Sequence, residues 1–212
     1  MHHPYEQRTA DWWAVRKGKV TGSLAAACLG LDPHRGPFYA YQEIVGAHKT
    51  VERYDHWAAD REAEARESFE RETGLPIQLC GFHTHPDHPW LGASPDGLVG
   101  VSAVIEIKNP KKGIPTAIPI HHRIQVLMEM ACTGRTVGFY YSFEPGNSRL
   151  WVVRPAGTDG LIARLKRFYD QFVVPRIPPP RRVPGRRKRQ KPDPVPALNT
   201  EYPFGGDYDA PG

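Results

Sequence analysis

Three side chains at short spacing carry the chemistry of this sequence: Asp96, Glu106 and Lys108. Asp96 sits in Ser94-Pro95-Asp96-Gly97, a run of turn formers. Pro95 fixes φ, Asp96 can bond its own backbone, and Gly97 accepts a positive φ. Val104-Ile105-Glu106-Ile107-Lys108 follows as a short β-branched strand. Period-two alternation puts Val104, Glu106 and Lys108 on one face, with Ile105 and Ile107 on the other. Asp96, from the preceding turn, can reach the same face. Two carboxylates and an ammonium at the end of a sheet suit a divalent metal and a polarised water. The same residues also read as a plain Asp-Gly turn and a solvated Glu-x-Lys pair, so the surrounding elements have to decide.

Those elements are mostly helices. Residues 57–73, closed by Gly74 and Pro76, form a helix whose small and apolar stripe runs Ala58, Ala65, Phe69. Glu62 falls on that stripe, while Glu64, Glu67 and Glu70 lie elsewhere and are expected in solvent. An inward carboxylate must be paired, neutral or on a metal. Residues 119–132 form a buried helix with Ile120, Ile124, Leu127 and Ala131 in line, and Gln125 lies beside that stripe. Residues 11–16 and 24–29 are short helices separated at Gly18, the second capped by Thr21 or Ser23. A helix start led by Ser/Thr beside an arginine can also hold a phosphate. Residues 38–45 add a further helix. Residues 75–79, 137–143 and 150–153 are strands, the last two joined through Pro145-Gly146-Asn147 as a hairpin. Residues 159–173 are an amphipathic helix stopped by Pro175. His83, His85 and His88 lack a zinc-ligand spacing and are interrupted by Pro86 and Pro89, so they read as strand or turn histidines.

The 212 residues fit one domain, residues 1–175, followed by a tail, 176–212. The net charge is +5, and the tail supplies most of it, with eight Lys/Arg against four Asp/Glu. Pro178-Pro179-Pro180 and the run Arg186-Arg187-Lys188-Arg189-Gln190-Lys191 mark it as disordered and basic. It reads as a nuclear localisation signal, an electrostatic nucleic-acid contact, or a solubilising tail. No apolar run is long enough to span a membrane and the N-terminus lacks an apolar signal core, so an intracellular protein is expected. It would be nuclear if the tail acts in a eukaryotic host, and cytoplasmic otherwise. The three scattered cysteines, Cys28, Cys80 and Cys132, fit reduced thiols.

In order, the motifs resemble the PD-(D/E)XK nuclease superfamily and, within it, the lambda exonuclease/YqaJ viral recombinase family. Trp12-x-x-x-Arg16-x-Gly18-x-x-Thr21-x-Ser23 is similar to the family's N-terminal motif, and Glu62-x-x-Ala65-Arg66-x-x-Phe69-Glu70-x-x-x-Gly74 to its first-acid helix. Ser94-Pro95-Asp96-Gly97, Glu106-Ile107-Lys108 and Gln125 match its active-site core. Ala58 replaces a usual glycine, and the short interval from Asp96 to Glu106 implies a tight hairpin. The resemblance implies an α/β (α+β) fold, a mixed sheet flanked by helices. It implies Mg²⁺, with Mn²⁺ as substitute, held by Asp96, Glu106, the Ile107 carbonyl and Glu62. Lys108 and Gln125 would act on the water, and Arg16, Thr21 and Ser23 would grip a 5′-phosphate. The implied activity is 5′→3′ digestion of linear double-stranded DNA from its ends. The 3′ strand would pass to a single-strand annealing protein, and the enzyme would act as a homo-oligomer such as a trimer. An endonuclease on the same core and a catalytically silent DNA-binding module are the other readings.

Overall fold

The computed structural model describes residues 1–47 and 56–181, with side chains from Arg61 onward in the second segment. The order is β1 (His2–His3), α1 (Ala10–Arg16), β2 (Val20–Thr21), α2 (Gly22–Cys28), α3 (Pro37–Ile44), α4 (His56–Thr73), β3 (Ile77–Gln78), β4 (Phe82–Thr84), β5 (Leu91–Ala93) and β6 (Gly97–Val99). Then come β7 (Ala103–Lys108), α5 (Ile120–Thr133), β8 (Val137–Glu144), β9 (Asn147–Val153) and α6 (Thr158–Phe168), which runs into a π-helical turn, Tyr169–Val173.

The main sheet is mixed, in the order β3-β6-β7-β8-β9. β7 and β8 are parallel and every other neighbouring pair is antiparallel. Parallel neighbours need a crossover, and α5 supplies it. The alternation read in β7 is the one the sheet uses. Val104 packs with Leu24, Ile124 and Leu127 on the α2/α5 face. Ile105 and Ile107 pack with Ala65 and Phe69 of α4 on the other. Each such fully buried aliphatic contributes roughly 1.5–3 kcal/mol. Glu106 and Lys108 therefore point toward α5.

A second sheet, β1-β4-β5-β2, was not foreseen. Its strands are two or three residues long, too short to show a period. It explains Gly92, where a Cβ would lie 2.0 Å from the Phe82 ring. Gly97 also differs from expectation. It does not adopt a positive φ but opens β6, and a Cβ there would meet Ile77 Cγ2 at 2.2 Å. The tight hairpin holds, with only Gly100, Val101 and Ser102 between β6 and β7. α5 is buried almost all round rather than along one stripe, and Ile120 is exposed. Glu70 is not free in solvent: its Oε1 accepts the Ile77 N–H at 2.6 Å and ties α4 to β3. Thr21 is the N-cap residue of α2 but makes no side-chain cap bond, and Ser23 lies inside the helix. The basic segment from Arg182 on, and the Ala58 side chain, lie outside the described residues.

Candidate active site

Lys108 is the last residue of β7, so the charged groups sit at the carboxyl end of a parallel strand. Crevices form there because the crossover chain leaves the sheet. Asp96 is locked to that strand by its own backbone and side chain. Its N–H donates to the Ile105 carbonyl at 3.1 Å, and its Oδ2 accepts the Ile107 N–H at 2.7 Å. Glu106 is 1% exposed. Its Oε1 accepts from Lys108 Nζ and from Gln125 Nε2 at 2.6 Å. Gln125 is thus no surface amide. The same Nε2 donates to Glu129 Oε1 at 3.0 Å.

Electrostatics bind these groups into one unit. Burial, then the neighbouring Glu106, pushes the Asp96 carboxyl well above its usual range, and Glu62 adds to the shift. Burial works against the Lys108 ammonium, but Glu106 and Asp96 outweigh it and hold the lysine above its ordinary value. Burial and Glu106 raise Glu129 strongly. Among the described residues, Glu106 Oε2 and Glu129 Oε2 are buried with no hydrogen-bond donor. Glu62 is not drawn into this group by a hydrogen bond. It is a third exposed and bonds Arg66 NH1 at 2.7 Å on its own helix. Among the described residues, no three His, Cys, Asp or Glu side chains close on a single metal position, His83, His85 and His88 included.

Two cavities are lined by residues of this site and of the N-terminal motif. The larger, about 360 Å³, is lined by Lys108 and Gln125 together with Ser23, Asp32, His34, Arg35, His121 and His122. His122 shares a 2.8 Å hydrogen bond with the Tyr140 hydroxyl. Burial, then Lys108, lowers the imidazole to about 3. Burial also pushes Tyr140 up to about 12, so both are neutral at physiological pH. The smaller cavity, about 200 Å³, is lined by Trp13, Arg16, Lys17, Lys19, Thr21, Leu24, Glu43, Ile44 and Gly46. Arg16 stacks 3.9 Å above the Trp12 ring, and burial lowers its guanidinium to about 10, still cationic at neutral pH. The trio read from the sequence is therefore divided: Arg16 and Thr21 face one cavity and Ser23 the other. The two hydroxyls lie 3.3 Å apart at the boundary. Trp12 links the halves, because its Nε1 donates to Ser94 Oγ at 2.9 Å in the turn that carries Asp96.

Sequence reasoning missed Glu129, Asp32, Arg35, His121 and His122. Glu129 had a legible signal, a lone carboxylate four residues after Gln125 in an apolar helix. Asp32 and Arg35 lie in a loop with no periodicity to read. There Asp32 Oδ1 accepts the His34 and Arg35 N–H groups at 2.8 and 3.2 Å, and its Oδ2 accepts Arg35 Nε at 2.8 Å. Arg35 NH2 donates to the Ser23 carbonyl at 2.8 Å. Burial opposes the Asp32 charge, but the His34 and Arg35 hydrogen bonds outweigh it and its pKa is lowered. Asp32→Asn should therefore cost about 1–3 kcal/mol at pH 7. A carboxylate depressed in the folded state contributes above its unfolded value and loses that contribution as pH falls through the folded one. Urea unfolding should thus show the gap between the two proteins closing below about pH 4.

A mixed sheet with a carboxylate, a second carboxylate and a lysine at its strand end defines the class: the fold is that of the PD-(D/E)XK exonucleases. Residues 11–136 match the YqaJ-like viral recombinase domain, and the chain belongs to that family. It is similar to the alkaline exonuclease LHK-Exo from Laribacter hongkongensis, with TM-score 0.67 and 25% identity over 80% of this chain and 94% of that one. The complex of LHK-Exo with dAMP gives 0.65 and 26% over the same shares. A phage-related exonuclease from Haemophilus somnus 129PT gives 0.53 at 11% identity, over 74% and 96%, and bears on the fold alone. No protein of curated function matches the sequence. Among the described residues, no helix is long and apolar enough to cross a membrane.

Proposed function

We propose that the chain is a metal-dependent 5′→3′ exonuclease that hydrolyses linear double-stranded DNA to 5′-mononucleotides and leaves 3′ single strands for annealing. The observation that carries this reading is the Lys108–Glu106–Gln125 cluster, with Asp96 bonded to the same strand, opening onto a cavity beside a second, cationic one. The donors present fit a hard cation. Glu106 Oε2 is buried without a hydrogen-bond donor among the described residues, and Mg²⁺ takes one or two carboxylates, with waters and substrate phosphates completing its octahedron. Asp96, Glu106 and the Ile107 carbonyl would hold it, with Glu62 near enough to add charge; Mn²⁺ would substitute. A bound ion would polarise the scissile phosphate and acidify the attacking water.

The chain's own groups do the rest. Lys108, kept charged by Glu106 and Asp96, offsets phosphate charge and positions the water. Gln125 fixes the Glu106 carboxylate by its amide N–H. Arg16 and Thr21, joined by Lys17 and Lys19, would receive the 5′-phosphate in the smaller cavity, with Ser23 at the boundary toward Lys108. DNA ends are then the partner. A ring of three copies and an annealing protein that takes the 3′ strand belong to the same reading.

The test compares linear duplex with 5′-phosphate, the same duplex with 5′-hydroxyl, and closed circular DNA, each with Mg²⁺ and each with EDTA. Mononucleotides released from phosphorylated ends, with Mg²⁺ only, are the expected result. Nicking of the circle would instead make the enzyme an endonuclease. Binding without turnover on any substrate would leave a DNA-binding module.

A further inference from the structure

Glu129 is the buried acid that the mechanism above leaves unused. It is 1% exposed and stands in the otherwise apolar run Val126-Leu127-Met128-Glu129-Met130 of α5. Leucine or methionine would fill that volume without an unsatisfied oxygen, and buried polar groups are otherwise almost always bonded. Here two carboxylate oxygens are left over, Glu129 Oε2 and Glu106 Oε2. The remaining oxygens of both residues meet at one donor, Gln125 Nε2, at 3.0 and 2.6 Å. Glu106 is further held by Lys108, and Glu129 bonds Gln125 and lies against Glu106 itself. Three carboxyls, Asp96, Glu106 and Glu129, thus gather around a single ammonium.

We infer that Glu129 is a positioning residue for a divalent cation at Glu106. It fixes the Gln125 amide, which in turn aims the Glu106 carboxylate. The inference rests on the metal-dependent reading above. A plain structural role, anchoring Gln125 within α5, makes a different prediction: loss of Glu129 would lower stability and leave cation affinity alone.

The probe is Mn²⁺ alone, titrated calorimetrically into the metal-stripped full chain, with the melting temperature of the metal-free protein recorded beside it. Glu129→Met fills the volume and removes the oxygen that accepts from Gln125. It should weaken Mn²⁺ binding about tenfold or more, the scale for groups that orient a metal ligand, without lowering the metal-free melting temperature. An affinity within twofold of wild type overturns the inference, whatever the melting temperature does. If Glu129→Met does not fold, Glu129→Asp decides in its place. That variant keeps a carboxyl but shortens the reach to Gln125, so weaker Mn²⁺ binding supports the inference and wild-type affinity overturns it. A wild type that takes up no Mn²⁺ overturns the metal-dependent reading as well. Wild-type uptake with an unchanged variant overturns this inference alone.

Discussion

Glu106→Gln should reduce mononucleotide release by about 10²–10³-fold in kcat, the scale of removing one group from a preorganised electrostatic site. Glutamine matches the volume of Glu106 but carries no charge for a cation and none for Lys108. The buried pair explains why alanine is the poorer probe. Glu106→Ala leaves the Lys108 ammonium and the Gln125 amide facing a void, and breaking a buried pair adds several kcal/mol of instability, on the order of 3–5. Lys108→Ala should show a loss of similar size, since Glu106 and Asp96 then face each other without a neutralising charge. Because the two residues act as one unit, the double variant should be no slower than the worse single one. Single-turnover kinetics on 5′-phosphorylated duplex, with melting temperatures alongside, measure this. More than a tenth of wild-type turnover in either single variant would mean the chemistry is elsewhere.

Arg16→Gln should erase the preference for phosphorylated ends. We expect kcat/KM on 5′-phosphate duplex to fall about 10²-fold, as for loss of a charge-assisted contact worth roughly 2–3 kcal/mol. The rate on 5′-hydroxyl duplex should barely move. Arg16 also stacks on Trp12 at 3.9 Å, so the variant should lose about 0.5–2 kcal/mol of stability. The two effects separate cleanly, because lost stacking would slow both substrates alike. Equal losses on both ends would show that Arg16 supports the fold rather than reading the phosphate.

Much of this site was visible in the sequence for one reason: β7 is a regular strand. Its period-two pattern placed Glu106 and Lys108 on one face and Ile105 and Ile107 on the other, and the sheet follows it. The spacing of Asp96 likewise predicted the tight hairpin. The Arg16/Thr21/Ser23 motif placed its residues in one neighbourhood but not around one cavity, because α2 turns Ser23 toward Gln125 while Thr21 stays with Arg16. The small sheet was invisible because two-residue strands have no period and take their partners from tertiary contacts. Asp32 and Arg35 escaped notice for the same reason, as their bonds are made across a loop. Glu62 shows the limit of a stripe: it was read as inward, but it is a third exposed and bonds Arg66 at i+4.

The hairpin that carries Asp96, Glu106 and Lys108 is clamped at its far end. Arg135 NH1 donates to the carbonyls of Val99, Gly100 and Ala103 at 3.5, 2.7 and 3.0 Å. A one-residue slip of β7 would turn both charged groups into the apolar face, and the clamp resists it from the end away from the chemistry. Val101, between those carbonyls, is 91% exposed. That makes the turn a natural attachment point. The native thiols compete poorly for a label: Cys28 and Cys132 are buried, and burial pushes Cys132 up to about 12 and Cys80 to about 11. A Val101→Cys substitution would therefore take a fluorophore or a surface tether at one defined place. The reporter would ride on the hairpin that carries Asp96, Glu106 and Lys108, at the end away from them.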